Sequence, residues 1–294
     1  MFTTLVAVIA ALVLGHLAPS LLATLRDWRW FGRCLGWLRA QLGESAAHYS
    51  VLLLVAPCVL LVGLLQWALA GRLFGLPALL FGVAVLALCW GPRDLDRDVE
   101  AVIDAEDEAA AALAASRLQA AGGSMREDAP GLVEATAINA LRRWFAPLFW
   151  FLLLGPLGAV LYRLLAQSSQ GLQSQQLSTE ERRSGDVLLA VLEWPVAQLM
   201  TLSMALVGNF DTVFSAWRRA AGNRWALQLG FLAEAARASV GAELVEEAEE
   251  ARLAGQVPAD ERYPELRDAM SLVWRMLLLW MTLLALLVIA GWVG

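Results

Sequence analysis

Hydrophobic positions in this chain fall into long blocks rather than into the spaced stripes of a water-soluble fold. A helix needs about 20 mostly apolar residues to cross a bilayer, and four runs reach that length: Val51 to Ala70, Leu73 to Gly91, Trp144 to Tyr162 and Ser271 to Val293. Only Gly71 and Arg72 separate the first two, which predicts an antiparallel helical hairpin over 51–91 turning at one membrane face. Trp67, Trp90, Trp144, Trp274 and Trp292 lie near the ends of these runs, where an interfacial belt places tryptophan. Two further runs are less plain. Val187 to Gly208 is long enough but holds Glu193 and Pro195 in its first half. A carboxylate at mid-bilayer costs about 2.5–3.5 kcal/mol on insertion scales, so Glu193 is expected to face a bundle interior or polar cavity, or to lie near the head groups. Phe2 to Leu17 is short, and "MFTT" lacks the positively charged start of a signal peptide. Residues 2–22 therefore read as an N-terminal membrane-embedded or re-entrant helix.

Arginine placement tests the Val187 run. If it spans, the segments Ala23 to Ser50, Pro92 to Arg143 and Asn209 to Met270, with Arg275, share one side and hold 18 arginines. Only Arg72, Arg163, Arg182 and Arg183 then lie opposite, a positive-inside bias. If it does not span, the split becomes 10 against 12 and the bias vanishes. A span over 144–208 in two passes is the reading this favours. The result is an all-α, polytopic membrane bundle in one domain, 1–294, with about five spans, the N-terminal embedded helix and amphipathic cytoplasmic helices over 92–143 and 209–270, closed by the span 271–293.

The cytoplasmic segments are helical in pattern. Asp94 to Gly123 opens with aspartates suited to a helix N-terminus and ends on two glycines suited to a C-cap. Val99, Val102, Ile103 and Leu113 form its thin apolar stripe, and its charges read as a solvated face. Phe210 to Leu232 places Phe210, Val213, Phe214 and Trp217 at helical spacing beside Arg218 and Arg219. That pattern suits a helix at the head groups and equally a packed core helix. The acidic stretch "AELVEEAEEARLAG" predicts another polar helix, and "AQSSQGLQSQQLSTEERR" (Ala166 to Arg183) a polar loop on the outer side.

Composition narrows the function. Hydrophobic residues make up 59% of the 294 and charged ones 17%, against roughly 45–50% apolar in soluble domains. Net charge is −6 and every basic residue is arginine, so a nucleic-acid partner is set aside. Cys34, Cys58 and Cys89 lack CxxC spacing, and only His16 and His48 are present, which indicates neither a disulfide framework nor a metal centre. No cofactor and no metal is expected.

The chemistry-bearing stretch is "FAPLFWFLLLGPLGAVLYRLL" (Phe145 to Leu165), apolar enough to span yet holding Pro147, Gly155, Pro156 and Gly158. Proline removes a backbone hydrogen bond, and freed carbonyls survive in a membrane only where neighbouring helices or water satisfy them. The glycines admit a second backbone, whereas Pro147, in a first helical turn, disturbs little. The stretch favours a tightly packed core over a ligand cavity, with a bent third rod. The segment "EATAINALRRWFAPLFWFLLLGPLGAVLYR" (Glu134 to Arg163) resembles the signature of the CobD/CbiB membrane proteins, whose enzymes join an aminopropanol arm to cobyric acid. Their line reads roughly Glu-Ser-x-Ala-Glu-Asn-x-x-Asp-Gly, then Ala-Pro-Leu-Phe-Trp, a Gly/Pro-rich turn, Ala and Tyr-Lys. Glu134, Ala137, Asn139, Ala146 to Trp150, Gly158, Ala159 and Tyr162 match it.

The departures fall on the acids. Ile138 stands for the second Glu, Arg142 and Arg143 for Asp-Gly, and "AQSS" (Ala166 to Ser169) for an Asn-Thr-x-Asp tail; later paired aspartates correspond at best to Glu193 in "VLEWPVAQL". Magnesium held by several carboxylates cannot be assembled from Glu134 and Glu193 alone. Over most of its length the chain is similar to the AmpE proteins, through "NALRRWFAPLFWFLLLGPLGAVLYR", "VLEWPVAQL", "ALVGNFDTVFSAWR" and the single closing span. That resemblance implies a multi-pass regulatory or sensory protein of the bacterial inner (plasma) membrane, linked to β-lactamase induction and peptidoglycan recycling, with no catalytic residue. Its partners are then the lipid bilayer and a polar or anionic small-molecule ligand at Glu134, Asn139, Tyr162, Glu193, Arg142 and Arg143, and a homo-oligomer is compatible with it. Each candidate has a plain structural role beside that one. Glu134 and Asn139 cap or hydrogen-bond the approach to the third span, Tyr162 anchors at head groups, Glu193 pairs with an arginine near the interface, and Arg142 and Arg143 flank a span or, with Arg218 and Arg219, grip an anion. Pro147, Trp150, Gly155, Pro156 and Gly158 carry the structural motif. The alternative is a magnesium-dependent amide-forming synthase. A transporter is disfavoured, because the two halves show no matching Gly/Pro-interrupted segments.

Overall fold

A computed structural model of the chain describes residues 2–17, 29–42, 50–70, 75–91, 94–122, 128–170, 179–220, 227–255 and 262–290. In chain order the helices are α1 (Phe2–Leu17), α2 (Arg29–Leu42), α3 (Ser50–Leu69), α4 (Leu76–Cys89), α5 (Leu95–Ile103), α6 (Glu108–Gly122) and α7 (Ala129–Ala140). A π-helical turn, Leu141–Phe145, leads to α8 (Ala146–Leu154), followed by α9 (Pro156–Gln170), α10 (Thr179–Val207), α11 (Phe210–Ala220), α12 (Gly230–Leu253) and α13 (Pro264–Ile289). No strand occurs among the described residues.

Among the described residues three helices are long and apolar enough to cross a membrane, Val51–Leu69, Gly185–Val207 and Pro264–Ile289, and Leu5–Leu14 and Leu76–Cys89 are shorter apolar helices. Many of their outward side chains are apolar as well, among them Leu60, Leu61 and Leu64 on α3 and Leu278 and Leu286 on α13. Contiguous apolar surface of that kind drives association in water and is at rest against lipid. The chain is an all-α membrane bundle.

Contacts divide it into two compact units, residues 1–92, 142–193 and 284–294 in the first, and 93–141 and 194–283 in the second. In the first unit α1 packs on α4, α2 on α3, and α9 on α3, α4 and α8. In the second, α7 packs on α6 and α12, and α11 on α12. Helix α7 begins where Asp128 Oδ1 accepts from the Gly131 N–H at 3.0 Å, with Pro130 in the first turn needing no partner. Residues Gly131 to Ala140 are all buried apart from the half-buried Glu134. Arg275 of α13 forks onto both carboxylate oxygens of Glu243 at 2.6 Å, and Trp280 Nε1 donates to Ser203 Oγ at 2.8 Å.

Several expectations are corrected. The run Trp144 to Tyr162 is bent as expected, by a full break at Gly155, but its bounds are corrected, because helical structure begins at Ala129 and continues to Gln170. The predicted loop Ala166 to Arg183 is accordingly helical at both described ends, with 171–178 outside the described residues. Asp94 to Gly123 is two helices, since Asp107 Oδ1 takes the Ala110 N–H at 2.6 Å and starts α6 afresh. Leu113 is exposed while Val99 and Val102 are buried. Phe210 to Leu232 is likewise interrupted: α11 stops at Ala220 and α12 starts at Gly230. Trp144 is buried with its ring 6.4 Å from that of Trp90, and Arg163 is buried rather than an outer flank. Gly71, Arg72 and Trp292 lie outside the described residues.

Candidate functional site

Pro147 has no N–H to direct at the carbonyl of Arg143, as an α-helix at this point requires. The chain answers with the wider π turn, and the Arg143 carbonyl accepts from the N–H of Gly91 at 3.1 Å. Only glycine allows that approach, because a Cβ at 91 would meet Arg143 Cβ at 2.6 Å. Arg143 itself is buried, so it is not the solvated flank its position suggests.

The second break is sharper. Gly155 adopts φ 71°, ψ −157°, a conformation open to glycine alone, and Pro156 starts α9. Ending one helix and starting another inside an apolar run leaves the Leu154 carbonyl and the Leu157 N–H without helical partners, and hydrocarbon supplies none. Gln66 of α3 supplies both: its Nε2 donates to the Leu154 carbonyl at 3.3 Å, and its Oε1 accepts from the Leu157 N–H at 3.1 Å. A Cβ on Gly155 would press on Gln66 Nε2 at 2.7 Å, and one on Gly158 would overlap the carbonyl oxygen of Trp150. Pro147, Gly155, Pro156 and Gly158 thus shape a packed, satisfied break.

Across the same unit three of the candidate residues converge. Glu193 is 2% exposed, and its Oε1 accepts from Arg142 Nε at 3.0 Å and from the Tyr162 hydroxyl at 3.2 Å. Tyr162 is wholly buried, which corrects its assignment as a head-group anchor. Beside them Trp150 Nε1 donates to the Leu192 carbonyl at 3.2 Å, in the turn of α10 that Pro195 loosens by withholding its donor and crowding the preceding carbonyls. A lone carboxylate in this helix would be costly; paired with a guanidinium and a hydroxyl it is neutralised where it stands.

Glu134 and Asn139 belong to the second unit and serve other partners. Arg237 Nη1 meets Glu134 Oε2 at 3.1 Å. Asn139, 2% exposed, donates through Nδ2 to the carbonyls of Leu118 at 3.0 Å and Ala135 at 2.8 Å, fastening α7 to α6. Arg218 and Arg219 remain exposed on α11, Arg218 6.0 Å over the Phe214 ring and Arg219 Nε on the Ser215 carbonyl. Gln66, Gly91 and Arg237 escaped the sequence reading. A polar residue inside an otherwise apolar spanning run was the available signal for Gln66.

A family model described as "Regulatory signalling modulator protein AmpE" matches residues 26–293, which takes in every helix from α2 onward. The chain belongs to the AmpE family. A curated AmpE relative, Protein AmpE of Shigella flexneri, is 29% identical over 211 residues, 67% of this chain and 74% of that protein. Cobalamin biosynthesis protein CobD of Chromobacterium violaceum is 32% identical over 217 residues, 70% of this chain and 65% of that protein, so the chain spans just under two thirds of that relative's length. No solved structure matches. The AmpE family role is that of a regulatory signalling modulator, and the CobD likeness accords with the signature from Glu134 to Arg163.

Proposed function

We propose that this AmpE-family protein works in the bacterial inner membrane as a non-catalytic modulator of β-lactamase induction, within peptidoglycan recycling. The observation that carries the non-catalytic part is the use made of Glu193. Holding magnesium for amide formation calls for several carboxylates turned toward the ion; Glu193 is given to Arg142 and Tyr162, and Glu134 to Arg237. In this reading α3, α10 and α13, with α4 and the broken α8–α9 pair, make five crossings, and α1 is embedded beside them. A polar or anionic small molecule acting at the cluster has to compete with Glu193 for Arg142. The test is deletion of the gene in its host, with β-lactamase activity measured before and after a sublethal β-lactam. Altered induction, restored by the wild-type gene, is expected; unchanged induction overturns the reading.

A synthase is the second reading, favoured by the CobD relative alone. Magnesium-dependent amide formation from a corrinoid carboxylate and a phosphorylated amine, with a nucleoside triphosphate activating the carboxylate and the carboxylate oxygen leaving on phosphate, lost in Glu134→Gln, would put it first.

A further inference from the structure

Helix α2 reads "RWFGRCLGWLRAQL": three arginines and no acid, in a chain whose net charge is −6. Its inner side buries Phe31 and Gly32, and the helix packs on α3. Outward it carries Trp30 (41% exposed), Arg33, Cys34 and Trp37 (65% exposed). These stand at i, i+3, i+4 and i+7, a single stripe along the helix. The same four residues line a notch of about 260 Å³. That is smaller than the roughly 300–1,000 Å³ of a small-molecule pocket, and its lining holds one charge and no carboxylate.

Two indoles this exposed are ill-suited to water and well-suited to the bilayer interface, where the ring is apolar on one side and the N–H wet on the other. A guanidinium set between them presents the planar fork that grips a phosphate. The cytoplasmic leaflet is the anionic one, and with the Val187 run spanning, the arginine bias assigns Ala23 to Ser50 to that side. We propose that α2 is an interfacial helix and that the Trp30–Arg33–Trp37 notch binds the phosphate of an anionic phospholipid, with the indoles at the depth of the glycerol. Charge sign, aromatic flanks and notch size agree on that occupant.

The test is native mass spectrometry of the full chain in detergent, offered phosphatidylglycerol or phosphatidylcholine with identical acyl chains. The wild type is expected to retain phosphatidylglycerol about fivefold over phosphatidylcholine, as one arginine at an anionic surface implies. Arg33→Gln is expected to erase that preference, and Trp37→Ala to weaken retention of both lipids. Arg252→Gln, an exposed arginine of α12, leaves the preference intact. Arg33 and Trp37 are exposed, and circular dichroism verifies that their variants stay folded. A preference for phosphatidylglycerol undiminished in Arg33→Gln overturns the proposal. So does inorganic phosphate binding as tightly as the lipid, which assigns the notch to a free anion, or a dimer trapped by a photoreactive side chain at position 37, which assigns it to a second copy.

Discussion

Glu193 and Glu134 both close on an arginine, and they are held in opposite ways. Glu193 sits in a helix fit to cross a membrane, 2% exposed, with Arg142 and Tyr162 on one oxygen. Glu134 is 22% exposed, and its partner Arg237 is shared with Glu234 at 2.7 Å. Water decides the worth of each pair. Removing one member of a buried pair leaves a charge that nothing solvates, whereas a half-open pair gives way to solvent and to its second partner.

Glu193→Leu is the largest expected effect, a loss of about 3–5 kcal/mol, because it takes a fully buried carboxylate from both Arg142 and Tyr162. Thermal unfolding in detergent reads it as a lowered midpoint. The double variant Arg142→Leu/Glu193→Leu sharpens the comparison, since an apolar replacement of the whole pair recovers most of the loss; equal destabilisation of single and double variants would break it. Gln66→Leu comes next, at about 2–4 kcal/mol for two unpaired backbone groups, with faster hydrogen exchange at Leu157 as its local signature. Tyr162→Phe removes one hydrogen bond to a charged group, about 1.5 kcal/mol. Glu134→Gln is the smallest, below about 1 kcal/mol and shrinking further in added salt. A Glu134 effect as large as that of Glu193 would refute the contrast.

How much of this was legible in the sequence depended on distance along the chain. The long apolar helices Val51–Leu69, Gly185–Val207 and Pro264–Ile289 and the break at Gly155 and Pro156 are local patterns and fall on the runs that announced them, whereas Leu76–Cys89 is shorter than the span its run suggests. The pairing of Glu193 with an arginine followed from the cost of burying a lone carboxylate. Its partner did not, because Arg142 lies 51 residues away and reads locally as a flank. Gln66 serves carbonyl and amide groups 88 and 91 residues distant, and Arg237 reaches Glu134 across 103. Single-sequence periodicity names an element's buried face without naming what covers it. Tyr162 failed for a related reason, since tyrosine near the end of an apolar run suits an interface and a buried acceptor equally well.

The Gln66 splint also bears on how the chain is made. Residue 66 precedes residue 154, so during synthesis the amide is lodged in the bilayer before the gap it closes leaves the ribosome. A circular permutant that moved α3 behind α9 would present the Leu154 carbonyl and the Leu157 N–H ahead of their cover, at a cost that a lowered yield of inserted protein would report.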